Sequence, residues 1–154
     1  MNIVIPMAGR GRRTNDYSDM PKPLADIHGK TMIEWVVKTL NIEGKYIFIT
    51  RKYEHDVWNE ILNETLGKLS KDIEIIEIDY VTEGPAASAL LAKEFINNDE
   101  SCIIGNCDQI MEWNSNDFLN TCNRKDLDGV VITQNQFNPK IVTYNWMLMV
   151  MESD

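Results

Sequence analysis

Three short stretches of this 154-residue chain hold the residue types that could do chemistry. The first is Ala8-Gly9-Arg10-Gly11-Arg12-Arg13, with Lys22 a little further on. Gly9 and Gly11 let backbone N–H groups approach an anion closely, because no Cβ intervenes and positive φ is open to them. Arg13 can bridge two phosphate oxygens with its planar fork, and Lys22 adds a compact charge on a flexible stem. These are the parts of a phosphate cradle. It is not a P-loop, since Gly-Lys-Ser/Thr is absent, nor the dinucleotide fingerprint, since Thr14 stands where the third glycine belongs. The second stretch is Glu83-Gly84. The third is Asn106-Cys107-Asp108-Gln109, which follows an apolar run. A carboxylate placed there is a natural Mg²⁺ ligand, because that ion is usually held by one or two carboxylates plus phosphate oxygens and waters. Asn-Cys-Asp is equally good turn chemistry, so residue type alone leaves both readings of Asp108 open.

The elements that must carry these stretches follow from hydrophobic period. Asn2 to Ile5 is a short, β-branched apolar run ended by Pro6, which predicts a buried strand. Residues 7–30 hold Gly9, Gly11, Gly29, Pro21 and Pro23 without a sustained period and predict a long loop, of a length that is usually functional. Met32 to Leu40 repeats at helical spacing, stopped by Gly44, and residues 45–50 form a second strand. Between about Tyr53 and Leu69, Val57, Trp58, Ile61, Leu62, Leu66 and Leu69 share one helix face. A strand over 73–78 precedes Gly84-Pro85, and an Ala-rich helix over 86–96 begins with Pro85 in its first turn, where a missing N–H costs nothing. A strand over 101–105, a helix over 115–123 and a strand over 129–133 complete the order βαβαβαβαβ. That order predicts an α/β fold with a mainly parallel sheet and helices on both faces. All three chemical stretches then fall beyond the carboxyl ends of strands, where such sheets hold ligands. Ile141 to Met151 is either a final strand or the stub of an element whose partner is missing.

Composition narrows the function classes. A hydrophobic content of 44% at this length suits one domain with a real core. The net charge of −9 argues against nucleic-acid binding, which needs a basic surface to displace counterions. The charge is uneven: residues 1–30 carry +2 and the rest −11, so a local positive field sits inside an acidic chain and suits a small polyanion. A merely solvated basic loop fits the same charges. No apolar run approaches the roughly 20 residues of a membrane span. Cys102, Cys107 and Cys122 form no C-x-x-C pair and have no histidine nearby, which predicts free thiols in a reducing, cytoplasmic setting. His28 and His55 lie far apart and are read as non-catalytic.

Taken together, Ile3-Val4-Ile5-Pro6-Met7-Ala8-Gly9-Arg10-Gly11-Arg12-Arg13, Pro21-Lys22-Pro23-Leu24 and Gly29-Lys30-Thr31-Met32-Ile33 resemble the opening of the sugar-phosphate nucleotidyltransferase (NTP transferase) family. Its signature is Gly-x-Gly-Thr/Ser-Arg followed by Pro-Lys-Pro-Leu. Thr82-Glu83-Gly84-Pro85-Ala86-Ala87 resembles the family's base-contacting turn, and Asn106-Cys107-Asp108-Gln109 its metal-binding turn. The resemblance spans roughly residues 1 to 140. It implies a Rossmann-like three-layer αβα sandwich in which an oxygen of a sugar 1-phosphate attacks the α-phosphorus of a nucleoside triphosphate, giving a nucleotide sugar and pyrophosphate. It also implies that Ala8, Gly9 and Gly84, with Glu83 in the same turn, lie at the base. Gly11 and Arg13 would hold the phosphates, with Arg13 stabilising departing pyrophosphate, Lys22 steadying the reacting phosphates and Asp108 binding Mg²⁺.

Two departures bear on activity. Arg12 replaces the usual Thr or Ser, and the family's sugar-binding Glu-Lys segment and second metal-binding Asp lie further along than this sequence runs. Glu152-Ser153-Asp154 has no lysine after the glutamate. The expectation is therefore a single nucleotidyltransferase-like domain, incomplete after about residue 140. Two alternatives stay open. One is a glycosyltransferase of similar fold that uses Asn106-Cys107-Asp108 as a degenerate Asp-x-Asp motif on a nucleotide sugar, which Pro21-Lys22-Pro23 disfavours. The other is a truncated, non-catalytic nucleotide-binding domain that self-associates through the apolar stretch Trp146 to Met151.

Overall fold

The structure, a computed structural model, describes residues 1–9 and 20–132 and the backbone of 149–151. Gly11, Arg12 and Arg13 of the first stretch, most of the apolar stretch after residue 140, and Glu152-Ser153-Asp154 lie outside the described residues. In chain order the elements are β1 (Asn2–Pro6), a 3-10 turn (Lys22–Leu24), β2 (Asp26–Ile27), β3 (Lys30–Thr31), α1 (Met32–Leu40), β4 (Lys45–Arg51), α2 (Asp56–Gly67) and β5 (Ile73–Ile78). There follow α3 (Pro85–Ala89), a second 3-10 turn (Leu90–Ala92), α4 (Lys93–Ile96), β6 (Cys102–Ile104), α5 (Ser115–Cys122), β7 (Gly129–Val131) and β8 (Met149–Met151).

Six strands form one sheet in the order β5-β4-β1-β6-β8-β7. The first four run parallel, with β1 paired to β4 on one side and to β6 on the other. Strand side chains alternate between faces, so an apolar run buries both sides of a sheet. Ile3, Ile5, Tyr46, Phe48 and Ile103 point to one side, where they meet Ile33, Val36 and Leu40 of α1, Leu62 and Leu66 of α2 and Phe118 of α5. Val4, Ile47, Ile49, Ile78 and Cys102 point to the other and meet Ala89, Ala92, Leu91, Phe95 and Ile96. The expected αβα sandwich with a mainly parallel sheet is the observed architecture.

Local chemistry fixes the boundaries. Helix α1 starts on a capping box: the Glu34 N–H donates to Thr31 Oγ1 at 3.3 Å while the Thr31 N–H donates to Glu34 Oε2 at 2.6 Å. It stops at Asn41, whose φ of 50° is left-handed. The sequence reading differs from the structure at three places. Part of the expected long loop is a 3-10 turn and a hairpin, in which His28 (φ 53°) and Gly29 (φ 82°) both take the positive φ of a type I′ turn. The single helix expected over 86–96 is two short helices joined by the second 3-10 turn. Ala89, Leu91, Ala92, Phe95 and Ile96 all reach the sheet from this segment. The tail does contain a strand, β8, but it runs antiparallel to both β6 and β7.

Candidate functional site

The candidate residues that are described gather where the parallel strands end. At the end of β1, the Met7 N–H donates to the Ile49 carbonyl at 2.9 Å, and Ala8 is buried in the same cluster as Ala89 of α3. Gly9 follows, exposed, and a Cβ added there would meet no atom of the described residues within 4 Å.

Lys22 is presented by its own turn. Pro23 and Leu24 are buried, the Leu24 N–H donates to the Pro21 carbonyl at 2.9 Å, and the Ala25 N–H donates to the Lys22 carbonyl at 3.1 Å. This anchors the Pro-Lys-Pro-Leu segment against α1 and leaves the lysine stem free to reach outward. Its Nζ forms an ion pair with Asp108 Oδ2, across 86 residues of sequence. The two side chains are 29% and 39% exposed. An ion pair that open to water contributes only about 0–1 kcal/mol to stability, so the contact is not what holds the fold together.

Asp108 lies in the turn that ends β6. The Gly105 N–H donates to the Val4 carbonyl at 2.9 Å, and beyond it the chain leaves the sheet. From behind, α1 holds this loop: Met111 N–H reaches Thr39 Oγ1 at 3.3 Å and Trp113 Nε1 donates to the Thr39 carbonyl at 2.8 Å. Within the turn, burial pushes the Cys107 thiol up to about 11; the Asp108 carboxylate adds to the shift and Lys22 opposes it. Cys107 is thus a protonated, inert thiol at neutral pH. The amide Nδ2 of Asn106 is buried with no hydrogen-bond partner among the described residues.

The Glu83-Gly84 turn opens α3, which packs against β1. Thr82 Oγ1 lies 3.2 Å from the Gly84 carbonyl and 2.5 Å from Ser88 Oγ, and the Ser88 N–H donates to the same carbonyl at 3.0 Å. Glu83 itself is exposed. The structure thus brings Lys22 and Asp108 into contact, sets Ala8 beside α3, and places Glu83-Gly84 at that helix's start.

Sequence reasoning missed Arg51 and Tyr53. The Arg51 guanidinium lies 5.1 Å from the centre of the Tyr53 ring, and its Nε is buried without a partner among the described residues. A buried donor left unpaired costs about 1–3 kcal/mol. Burial raises the Tyr53 hydroxyl's pKa, with Arg51 opposing and Cys107 adding to the shift. The available signal was position: Arg51 ends the apolar run Tyr46 to Thr50, where a strand meets the ligand edge.

Comparison with known proteins decides the family. The MobA-like NTP transferase domain matches residues 3–149, nearly the whole chain. The chain belongs to this family. Among curated relatives of this NTP transferase, the bifunctional protein GlmU of Methanococcus aeolicus is 26% identical over 147 residues, covering 90% of this chain and 34% of that protein. GlmU of Thermotoga petrophila is 27% identical over 104 residues, covering 68% and 21%. The chain therefore spans about a third or less of the length of the curated relatives it matches. Solved structures agree on the fold. A nucleoside-diphosphate-sugar pyrophosphorylase from Vibrio cholerae superimposes with a TM-score of 0.61 at 15% identity, covering 99% of this chain and 73% of that one. The inositol-1-phosphate CTP transferase from T. maritima superimposes with a TM-score of 0.63 at 16% identity, covering 98% and 70%. No helix among the described residues is long and apolar enough to cross a membrane.

Proposed function

We propose that this NTP transferase joins a nucleoside triphosphate to a sugar 1-phosphate, giving a nucleotide sugar and pyrophosphate. The observation that carries the reading is the Lys22–Asp108 ion pair. A cation and a carboxylate from two different loops meet at the ligand edge of an α/β sheet, open enough to water to exchange partners. The names of the structural neighbours point the same way, since one is a nucleoside-diphosphate-sugar pyrophosphorylase and another a CTP transferase acting with inositol 1-phosphate.

In this reading Ala8, Gly9 and the Glu83-Gly84 turn frame the base, Gly11 and Arg13 hold the phosphates, and Lys22 leaves Asp108 for an oxygen of the reacting phosphate. Asp108 fits as a ligand of Mg²⁺. Its partly exposed carboxylate, paired with Lys22, suits an ion that takes one or two carboxylates and draws its remaining ligands from phosphate and water. Bound there, Mg²⁺ would supply charge neutralisation on the phosphates. A sugar phosphate oxygen forms the new bond to the α-phosphorus while the bond to the bridging oxygen breaks and its electron pair leaves on pyrophosphate. The nucleophile is already ionised, so no general base is needed. The side chains act by positioning and by meeting charge. The same reading gives the protein a cytoplasmic setting, in keeping with three free cysteines.

The test is pyrophosphate release from the purified chain with Mg²⁺, each of the four ribonucleoside triphosphates and a panel of sugar 1-phosphates. Release that requires both substrates, and that falls by about 100-fold or more in Lys22→Ala and Asp108→Asn, is expected. Absence of release with every pair overturns the reading. Consumption of a finished nucleotide sugar without pyrophosphate would transfer the site to a glycosyltransferase.

A further inference from the structure

We propose that Arg51 reads the nucleobase and selects one with two adjacent hydrogen-bond acceptors, guanine or cytosine, over adenine and uracil. The inference rests on the base lying between Ala8-Gly9 and Glu83-Gly84, as in the function proposed above.

Strand order supplies the argument. β4 lies between β1 and β5, so its last residue is flanked by both segments assigned to the base. Pro6 pairs with Ile49, which sets Arg51 level with Ala8 two residues on, and Arg51 itself pairs with Ile78. The Lys52 N–H donates to the Ile78 carbonyl at 2.8 Å, which keeps the end of β4 tied to the chain that leads toward Glu83. Alternation along β4 sends Ile47 and Ile49 to the α3 side, with Ala8 and Ala89; at the strand's end the Arg51 guanidinium lies over the Tyr53 ring, which packs against the cluster on the other face.

The guanidinium faces the Tyr53 ring, pairs with no carboxylate among the described residues, and has a buried Nε without an acceptor. The Lys22–Asp108 pair lies at the turn after β6, on one side of β1, whereas Arg51 ends β4, on the other. An arginine fork presents parallel donors and no acceptor. Guanine answers it with O6 and N7, and cytosine with O2 and N3. Adenine sets an amino donor beside N7, and uracil a ring N–H beside each carbonyl, so both oppose the fork.

The experiment is a calorimetric titration of the full chain with GTP, CTP, ATP and UTP in Mg²⁺. Wild type is expected to bind GTP or CTP about tenfold or more tightly than ATP and UTP, the margin of one bidentate contact. Arg51→Met removes that margin and leaves ATP and UTP affinities unchanged. Arg51→Lys keeps the charge over Tyr53 but not the fork, and it loses the margin as well; it decides the matter if the methionine variant fails to fold. Lys22→Ala weakens all four alike. Equal loss for all four nucleotides in Arg51→Lys, or a wild-type preference for ATP or UTP, overturns the role of Arg51 while leaving the site in place. Failure of wild type to bind any of the four overturns the site and this inference together.

Discussion

The two faces of the sheet are covered in opposite ways. On one, α1, α2 and α5 press large side chains, among them Ile33, Leu40, Leu66 and Phe118, onto Ile3, Ile5 and Phe48. On the other, the segment from Pro85 to Ile96 buries Ala89 and Ala92 over Ala8, with the partly buried Leu91, Phe95 and Ile96 around them. Large residues fill a thick layer and supply most of the apolar burial. Small ones let a helix lie close to the strands, so its first turn, carrying Glu83-Gly84, is held against the strand ends where the candidate site lies. One face fastens the fold, and the other sets the distance between the fold and its ligand edge.

This contrast can be broken from either side. Phe48→Ala removes a fully buried ring from the thick face and is expected to cost about 3–5 kcal/mol in urea unfolding, the largest effect here. Ala92→Leu tests the thin face from the opposite direction. Ala92 is fully buried, so added bulk is expected to destabilise by about 1–3 kcal/mol and to weaken nucleotide binding by lifting α3; unaltered melting and binding would show that closeness is not needed there. Thr31→Ala disrupts the cap of α1 and should cost about 1 kcal/mol without touching the thin face. The same cap carries a pH signature. Hydrogen bonds from Thr31 hold the Glu34 carboxyl below its ordinary pKa, so its contribution is present above the unfolded-state pKa and is lost as pH falls through the lower, folded value. Denaturation of Glu34→Gln across mildly acidic pH should lack that slope. Lys22→Ala should change stability least, by less than about 1 kcal/mol, while weakening triphosphate binding about tenfold or more. A large stability loss in that variant would mean that the ion pair belongs to the fold rather than to the site.

Much of this arrangement was legible in the sequence because its physical causes are local. β1 and β4 are unbroken apolar runs, and α1 has helical spacing with a Thr31-x-x-Glu34 start and no glycine before its end. The pairing of Lys22 with Asp108 could be expected only by placing both loops at one sheet edge, and there the topology rule sufficed. The antiparallel direction of β8 left no local mark, since an apolar run reads the same both ways. The break in the helix after Ala89 also escaped, because Leu90 and Leu91 are good helix formers in isolation. Arg51 was passed over as well. Its significance comes from the strands on either side of β4, and neither is its neighbour in sequence.

The place of β1 in the sheet has a consequence in time. Its partners are β4 and, a hundred residues along the chain, β6, where Asn2 lies opposite Cys102. Closing so long a loop is slow compared with forming the helices and the hairpin at residues 26–31. Until β6 docks, Asp108 has no fixed position and Lys22 no counter-charge. With the function proposed above, nucleotide binding is expected to be among the last abilities a refolding chain recovers, and a fluorescent nucleotide added during refolding would then report closure of the sheet's centre.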